Sequence, residues 1–272
     1  MLTQVILQTA DPMTFNIDAV DPDEIVVLKS ISGLSPADVT LFTGDFAKNG
    51  GYYQGRRIAK RNPVFNLKLN PDYVNDVEVS DIREMLYRQF LEPQADSDGV
   101  QVLLKDDRKP DRYFIGYTES FPADIFTDRP TAQISTICVD PMLKSALETT
   151  ETNPAGWVSV PVAYDGSADT GLEATMKVAV AGTQMTLENN GAVMKLVKGT
   201  PFAVDDIIYI NTKQGERQIT LNGVDVMALL TGDSKWITLN QASNTLQAYG
   251  TAPADGDVVV TDYTYRSEWW GV

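Results

Sequence analysis

Asp205-Asp206-Ile207-Ile208-Tyr209-Ile210-Asn211-Thr212-Lys213-Gln214-Gly215-Glu216-Arg217-Gln218-Ile219-Thr220-Leu221-Asn222-Gly223 is the stretch that decides the fold class of this chain. Two short apolar and β-branched runs, 207–210 and 218–221, flank a turn that contains Gly215. Such alternation on both sides of a turn predicts a β-hairpin. Asn222-Gly223 predicts a second turn, because both residues tolerate positive φ. The stretch therefore indicates architecture rather than covalent chemistry.

The rest of the C-terminal half repeats this pattern. Residues 156–272 contain about nine short strand-like runs, one of them at 236–239, separated by Gly-, Asn- and Asp-rich turns. Many short strands with regular turns predict a β-sandwich. The N-terminal half reads as short strands and one helix over residues 80–91, with Ser80 as its cap and Pro93 as its stop. The polar stretch 146–155 predicts a linker between domains 1–145 and 156–272.

The composition excludes several classes of function. The 272 residues carry a net charge of −15, no histidine and a single cysteine, Cys138. Catalysis and metal binding through histidine, thiolate clusters and internal disulfides are thereby excluded. Cys138 lies in an alternating run and is predicted to be buried. We predict no enzyme activity and no cofactor.

The charge and the hydropathy also bear on partners and location. Both halves of the chain are acidic, at −7 for residues 1–145 and −8 for residues 146–272. This disfavours specific nucleic-acid binding, which requires a basic face. No apolar run is long enough for a transmembrane helix, and the N-terminal residues lack the pattern of a signal peptide. We therefore expect no membrane partner, synthesis in a cytoplasm, and release by lysis if the protein leaves the cell.

Two charged groups are candidate protein contacts. The first is the dense basic cluster Arg56, Arg57, Lys60 and Arg61, which suits either a solvated strand face or a contact with an acidic neighbour such as another copy of the chain. The second is the tip of a predicted hairpin, where 100–105 and 112–117 pair around a charged turn. The candidate residues of that turn are Asp106, Asp107, Arg108 and Lys109. Its aspartates lack the spacing of an EF-hand, so a solvated turn or a docking element is preferred over a calcium site.

The segment 201–223 resembles a hairpin of the distal tail proteins of long-tailed, siphovirus-type bacteriophages. The family pattern is Gly-Asp, an apolar strand, Asp-Thr, a basic residue, Gly, a basic residue, an apolar residue and Leu-Asn-Gly. Asp205 stands here where Gly is usual, and Asn211 where Asp is usual. The last strand, which ends before Trp269-Trp270, and the order of the N-terminal elements also fit the family.

The resemblance implies a mainly β fold. The N-terminal domain would be a split β-barrel-like belt domain with one helix, and the C-terminal domain a galectin-like β-sandwich. Six copies would form a ring, a homohexamer, at the tip of the virion tail. This baseplate hub would join the tail tube protein to the tail-tip hub or receptor-binding proteins. DNA would pass through its lumen without specific binding, and an acidic lumen would suit that passage.

Two other functions remain open from the residues. A carbohydrate-binding sandwich used in host-surface adsorption would stack sugars on exposed aromatic rings. Its candidates are Trp157, Trp236, Trp269, Trp270, Tyr249 and Tyr263. A glycoside hydrolase would need a carboxylate pair, such as Asp205 with Asp206 or Asp255 with Asp257. Adjacent residues of a strand point to opposite faces, which disfavours the first pair, and the second flanks Gly256 in an ordinary turn.

Overall fold

The chain folds into two compact units. A computed structural model describes residues 2–9, 12–16, 24–45, 51–72, 75–91, 99–124, 129–251 and 256–272. Unit 1 comprises Met1–Ala146 together with Trp269–Val272, and unit 2 comprises Leu147–Glu268. Unit 1 is therefore built from two separate segments of the sequence. The predicted boundaries, 1–145 and 156–272, instead place the C-terminal residues 269–272 in the second domain.

Unit 1 is a curled sheet with one α-helix among its described residues. Its elements are β1 (Leu2–Gln8), β2 (Met13–Asn16), β3 (Val26–Ser32), β4 (Val39–Asp45), β5 (Gly51–Ile58), β6 (Val64–Leu69), α1 (Val79–Phe90), β7 (Val100–Asp106), β8 (Lys109–Ser120), β9 (Ala123–Asp124), β10 (Thr131–Ile137) and β11 (Leu143–Ser145). The main sheet has the order β2-β1-β7-β8-β10-β6-β3. All pairings along this path are antiparallel.

The two edges of this sheet approach each other, so the sheet forms a split barrel. The Asn16 amide, at the end of β2, donates to the Glu24 carboxylate 2.9 Å away, just before β3. The Asn70 amide donates to the Glu24 carbonyl, also over 2.9 Å. Strand β6 alternates between half-buried and buried residues, which matches the period-two apolar pattern of its sequence. The inward side chains of the sheet form the core of unit 1 together with Ile82, Leu86 and Phe90 of the helix.

The helix begins one residue earlier than the sequence predicted. Glu78, not Ser80, is its N-cap, and Asp81 completes a capping box with Glu78. A carboxylate at this end satisfies backbone N–H groups that have no partner within the helix. The helix ends at Phe90, where Leu91 follows as its C-cap. Pro93, the predicted stop, lies outside the described residues.

Unit 2 is a sandwich of a six-stranded and a four-stranded sheet. Its strands are β12 (Thr149–Trp157), β13 (Ser159–Val162), β14 (Leu172–Val178), β15 (Gly182–Asn189), β16 (Ala192–Phe202), β17 (Ile207–Asn211), β18 (Gln218–Leu221), β19 (Val224–Asp225), β20 (Asn244–Tyr249) and β21 (Val258–Tyr265). The sheets have the orders β12-β21-β14-β17-β18-β19 and β13-β20-β15-β16. Apolar side chains of both sheets form one core. The chain then returns to unit 1 through β22 (Glu268–Trp269), which pairs with β11.

Two local predictions for the C-terminal half differ from the structure. Residues 146–155 are not a free linker, because β12 pairs with β21 from Thr149 to Thr152. This strand is polar and mostly exposed, so it lacks the alternating pattern that identifies a half-buried strand. Residues 236–239 form no strand; Leu239 makes only an isolated bridge to Thr170.

Candidate protein interface

A two-stranded sheet, β4–β5, stands apart from the main sheet of unit 1. The pairing runs from Val39↔Ile58 to Asp45↔Gly51, with a bulge after Phe42. Neither strand pairs with another strand of the described chain. An isolated two-stranded hairpin is at best marginally stable in water, and usually needs a hydrophobic face that packs against something else.

Both faces of this hairpin, which we call the arm, expose large apolar side chains. The exposed fractions are 44% for Val39, 61% for Leu41, 48% for Phe42, 46% for Tyr52 and 62% for Tyr53. The cross-strand register places Leu41 beside Arg56 and Phe42 beside Gly55, and successive residues of a strand face opposite sides. Contiguous exposed apolar surface on a soluble protein is typical of an interaction site.

The predicted basic cluster divides into exposed and buried members. Arg56, Arg57 and Lys60 are exposed, and the first two lie on the arm. The Arg56 guanidinium also lies over the Trp270 ring, 5.7 Å from its centroid. Arg61, in contrast, is only 3% exposed. It therefore cannot belong to a solvated basic surface, and the four residues do not act as one patch.

Arg61 instead joins three segments of unit 1. Its Nε donates to Pro141 O at 2.9 Å, and its two terminal nitrogens donate to Leu34 O at 2.7 Å and Trp270 O at 2.6 Å. Its backbone forms a bridge with Cys138, which is fully buried as predicted. Burial lowers the pKa of Arg61, and burial raises the pKa of the Cys138 thiol to about 12. A buried thiol of this kind is chemically inert.

The second candidate group lies at a tight turn. Strands β7 and β8 extend to Asp106 and Lys109, which pair with each other, so only Asp107 and Arg108 remain as the tip. The backbone N–H of Arg108 donates to an Asp106 carboxylate oxygen over 2.9 Å. The hairpin is thus longer and its turn shorter than predicted. The arm and this tip belong to different elements, and their role in protein contacts stays a prediction.

The hairpin that suggested the family, β17–β18, is a structural anchor of unit 2. Its pairing from Ile208↔Leu221 to Asn211↔Gln218 confirms the predicted hairpin. The Thr212 hydroxyl accepts from Leu172 N at 2.9 Å and donates to Leu172 O at 3.1 Å, which joins the turn to β14. Gly171 leaves room for this contact, because a Cβ there would lie 2.5 Å from Lys213 Cα.

A small ionic network lies beside this turn. Lys213 Nζ is 2.6 Å from Glu173 and 3.4 Å from Glu148, and the Tyr209 hydroxyl donates to Glu173 over 2.8 Å. Burial raises the Glu173 pKa, but hydrogen bonds from Lys213 and Tyr209 outweigh it, so the pKa is lowered overall. Burial and the Glu173 carboxylate raise the Tyr209 pKa to about 12. Every member has a partner, so the network is typical of a structural site.

The aromatic residues proposed for sugar stacking mostly lie in cores. Trp157 and Trp236 are half-buried and pack against the core of unit 2, and Tyr263 belongs to that core. The Arg217 guanidinium lies over the Trp236 ring, 4.9 Å from its centroid. Trp269 and Tyr249 are also buried. Trp270 is half-buried and carries Arg56 over its ring, so all six aromatic side chains are buried or half-buried.

Asp205 and Asp206, one of the carboxylate pairs considered for hydrolysis, lie in the turn before β17 and have partners there. Asp205 forms an ion pair with Lys177 at 2.7 Å, while Asp206 accepts from Ala203 N and Asn222 Nδ2, each over 2.8 Å. Asp255 lies outside the described residues. Within the described parts of the chain, no three His, Cys, Asp or Glu side chains are placed to hold a metal ion. No described helix is long and apolar enough to cross a membrane.

Residues 165–269 match the family model described as siphovirus-type tail component, C-terminal domain. This part of the chain is similar to that tail-component domain. The match confirms the resemblance to tail proteins of long-tailed phages. It spans most of the sandwich, including the hairpin β17–β18 on which that resemblance was based. No curated protein matches the chain.

Solved structures extend the comparison to the whole chain. The crystal structure of the SPP1 Dit protein (gp 19.1) is described as a paradigm of the hub adsorption apparatus in phages that infect Gram-positive bacteria. It matches 98% of this chain and 99% of its own, with a TM-score of 0.65 at 17% identity. This likeness confirms the fold class, mainly β with a half-barrel and a sandwich.

Two baseplate structures are more distant. The phage P2 baseplate in its activated conformation with Ca matches 100% of each chain with a TM-score of 0.46 at 10% identity. The phage p2 baseplate with Sr matches 97% of each chain with a TM-score of 0.43 at 10% identity.

Proposed function

We propose that this chain is a structural hub of the phage tail tip. Six copies form a ring that joins the tail tube to the tip or receptor-binding proteins, and DNA passes through its lumen. The tail-component domain of unit 2 and the fold shared with SPP1 Dit support the place in the virion. The chain acts by binding its neighbours and not by catalysis.

The exposed apolar surface of the arm is the observation that supports self-association. A ring requires surfaces that are buried in the assembly but exposed in a single copy. The arm has two strands, lies outside the main sheet, and exposes apolar side chains on both faces. In a chain with a net charge of −15, such a surface is suited to a protein neighbour.

The acidic charge supports the proposed passage of DNA. Duplex binding depends on Lys and Arg that displace counterions from phosphates. The chain has 22 Lys and Arg against 37 Asp and Glu, so the field of a ring opposes retention of DNA in the lumen. We expect no retention of duplex DNA by the assembled protein even at about 50 mM salt, where phosphate contacts are strongest.

The native mass of the full chain tests the ring. With a chain mass of 29.9 kDa, native mass spectrometry should find a species of about 180 kDa, and electron microscopy should show rings with a central opening. Some rings assemble only on a template, so the measurement is repeated with purified tail tubes. A protein that stays monomeric at high concentration and does not bind tube ends would contradict the proposal.

A further inference from the structure

The arm is attached to unit 1 at its base. Neither of its strands pairs with another described strand, so the chain connections at this base join the arm to the main sheet. The two connections lie together, because the Ala59 backbone N–H donates to Asp38 O over 2.8 Å. A hairpin attached in this way pivots about its connections unless further contacts hold it, since a few residues between elements are enough to form a hinge. The direction of the arm therefore depends on the contacts around its base.

Residues 270–272, which we call the latch, lie against the connection that enters the arm. The Val272 backbone N–H donates to Leu34 O over 3.4 Å. A Cβ on Gly271 would lie 3.0 Å from Leu34 O and 3.0 Å from Pro36 N. Such a close approach of two backbones favours glycine, so the latch is fitted tightly to the chain just before β4.

A buried arginine ties the connection that leaves the arm to the same place. The Arg61 guanidinium donates to Leu34 O at 2.7 Å and to Trp270 O at 2.6 Å. Both connections of the arm and the latch therefore meet at this one side chain. Because a buried guanidinium needs hydrogen-bond partners, these carbonyls are held closely in place.

The latch also contacts the arm beyond its base. The Arg56 guanidinium of β5 lies over the Trp270 ring, 5.7 Å from its centroid. A cation within about 6 Å of an aromatic centroid is attracted to the ring face. Arg57, the next residue of β5, points to the opposite side of the arm. Of these two exposed arginines, Arg56 is thus the one on the side of the arm that faces the latch.

We propose that the latch fixes the direction in which the arm projects from unit 1. The Trp270 ring holds the arm itself through Arg56, and the two residues that follow hold the connection that enters it. An interface element with a fixed direction loses less conformational freedom on association, so the latch also favours the assembly of the proposed ring. The inference concerns a single copy of the chain and does not rest on the ring.

Distances between two spin labels test the inference. Thr43→Cys on the arm and Gln133→Cys on β10 are both at exposed sites, and the native Cys138 is fully buried, so only the two introduced thiols are labelled. The labelled protein is diluted with excess unlabelled protein, so that pulsed electron paramagnetic resonance measures distances within one copy. We expect a single narrow distance distribution, which widens at least about twofold in Trp270→Ala, because the arm then pivots about its connections.

Matched substitutions on the arm and in unit 2 are the controls. Arg56→Gln removes the cation over Trp270 and should also widen the distribution, whereas Arg57→Gln removes the neighbouring cation on the opposite side and should leave it unchanged. Trp236 is likewise half-buried and lies under an arginine, Arg217, whose guanidinium is 4.9 Å from its ring centroid. Trp236→Ala in unit 2 should therefore leave the distribution as narrow as in the parent protein.

Three results would overturn the inference. They are a broad distribution in the parent protein, an unchanged distribution in a folded Trp270→Ala variant, and equal widening in Arg56→Gln and Arg57→Gln. If Trp270→Ala lacks a cooperative thermal transition, Arg56→Gln decides alone, because an exposed side chain contributes little to folding. An unchanged distribution in Arg56→Gln would then overturn the inference.

Native mass spectrometry of the same samples separates this inference from the proposed function. A narrow distribution in a chain that stays monomeric, with and without tail tubes, would contradict the ring and leave the latch intact. A hexamer whose arm distribution is broad would overturn the latch and leave the ring intact.

Discussion

Asp205 occupies a backbone position that favours glycine. Its φ is 70°, in the left-handed region, where a Cβ is unfavourable. The family pattern has Gly here, and the structure gives the physical reason for it. The Asp205 side chain contributes only an exposed ion pair with Lys177, and such pairs stabilise little.

Replacing Asp205 by glycine should therefore stabilise unit 2. We expect Asp205→Gly to raise the free energy of unfolding by about 0.5 kcal/mol, since relief of the left-handed cost exceeds the added entropy of the unfolded chain. Asn222→Gly is the matched control, because Asn222 also has a positive φ, of 51°. The Asn222 side chain accepts a hydrogen bond from Ile207 N and donates one to Asp206. Asn222→Gly removes both bonds, so we expect it to lower the free energy of unfolding by about 1 kcal/mol. Urea denaturation measures both changes. If the two variants change the free energy of unfolding in the same direction, the explanation for Asp205 is contradicted.

Glu173 makes the stability of unit 2 depend on pH. Its folded-state pKa is lowered, so its contribution is complete above the unfolded-state pKa and is lost as the pH falls through the folded value. Glu173→Gln should cost about 1 kcal/mol at pH 7 and should flatten the loss of stability between about pH 5 and pH 3. Thermal melts over this range measure the slope. Glu216→Gln in the nearby exposed turn controls for the removal of one negative charge, and an identical slope change there would rule out a specific role for Glu173.

At the scale of elements, we expect the arm to contribute to association between copies and little to the folding of one copy. Leu41→Ser with Tyr53→Ser removes apolar surface that is already exposed in one copy, so the melting temperature should change by no more than about 2 °C. Association should weaken at least about tenfold, because apolar burial between copies is lost. Val224→Ser, equally exposed in unit 2, should change neither quantity. A loss of folding in the double variant, or no loss of association, would contradict the assignment of the arm as an interface.

The sequence predicts elements well where the apolar pattern is local. The hairpin β17–β18, the alternation of β6 and the helix can all be predicted from the sequence, because each reflects burial of one face or one stripe. The arm has its own signal: Leu41-Phe42 and Tyr52-Tyr53 are consecutive apolar pairs, which place one side chain on each face. The pattern of residues 39–42 taken alone predicts only a strand, and it does not show that both faces are exposed.

Other features depend on contacts distant in sequence. Arg61 looks like the other members of a basic cluster, but its three carbonyl partners come from residues 34, 141 and 270. Strand β12 is polar because it is an exposed edge strand. A polar composition also predicts a linker, so the sequence alone does not distinguish the two. The return of Trp269 to the core of unit 1 has no local pattern that could predict it.

At the scale of the whole molecule, unit 2 interrupts unit 1. The fragment 147–268 should fold alone, because it contains both sheets of the sandwich and the Lys213 network with Glu148. The fragment 156–268 lacks most of β12, so it should be less stable by at least about 2 kcal/mol through lost ladder hydrogen bonds. Chemical denaturation of the two fragments compares them, and equal stabilities would show that β12 contributes nothing.

Unit 1 should not fold from residues 1–146 alone. Trp269 is buried in the core of unit 1, and the Arg112 guanidinium lies over its ring, 4.2 Å from the ring centroid. The Trp270 carbonyl accepts a hydrogen bond from Arg61, and the Gly271 carbonyl accepts one from Arg112. Without these residues, two arginines lose carbonyl partners and the core loses a large aromatic side chain, at a cost of about 3 kcal/mol or more. Because β11 and β22 are neighbouring strands, a short Gly/Ser linker can replace residues 147–268 and rejoin residues 269–272. The linked protein should show a cooperative thermal transition that residues 1–146 lack; the same transition in both would contradict the role of the C-terminal segment.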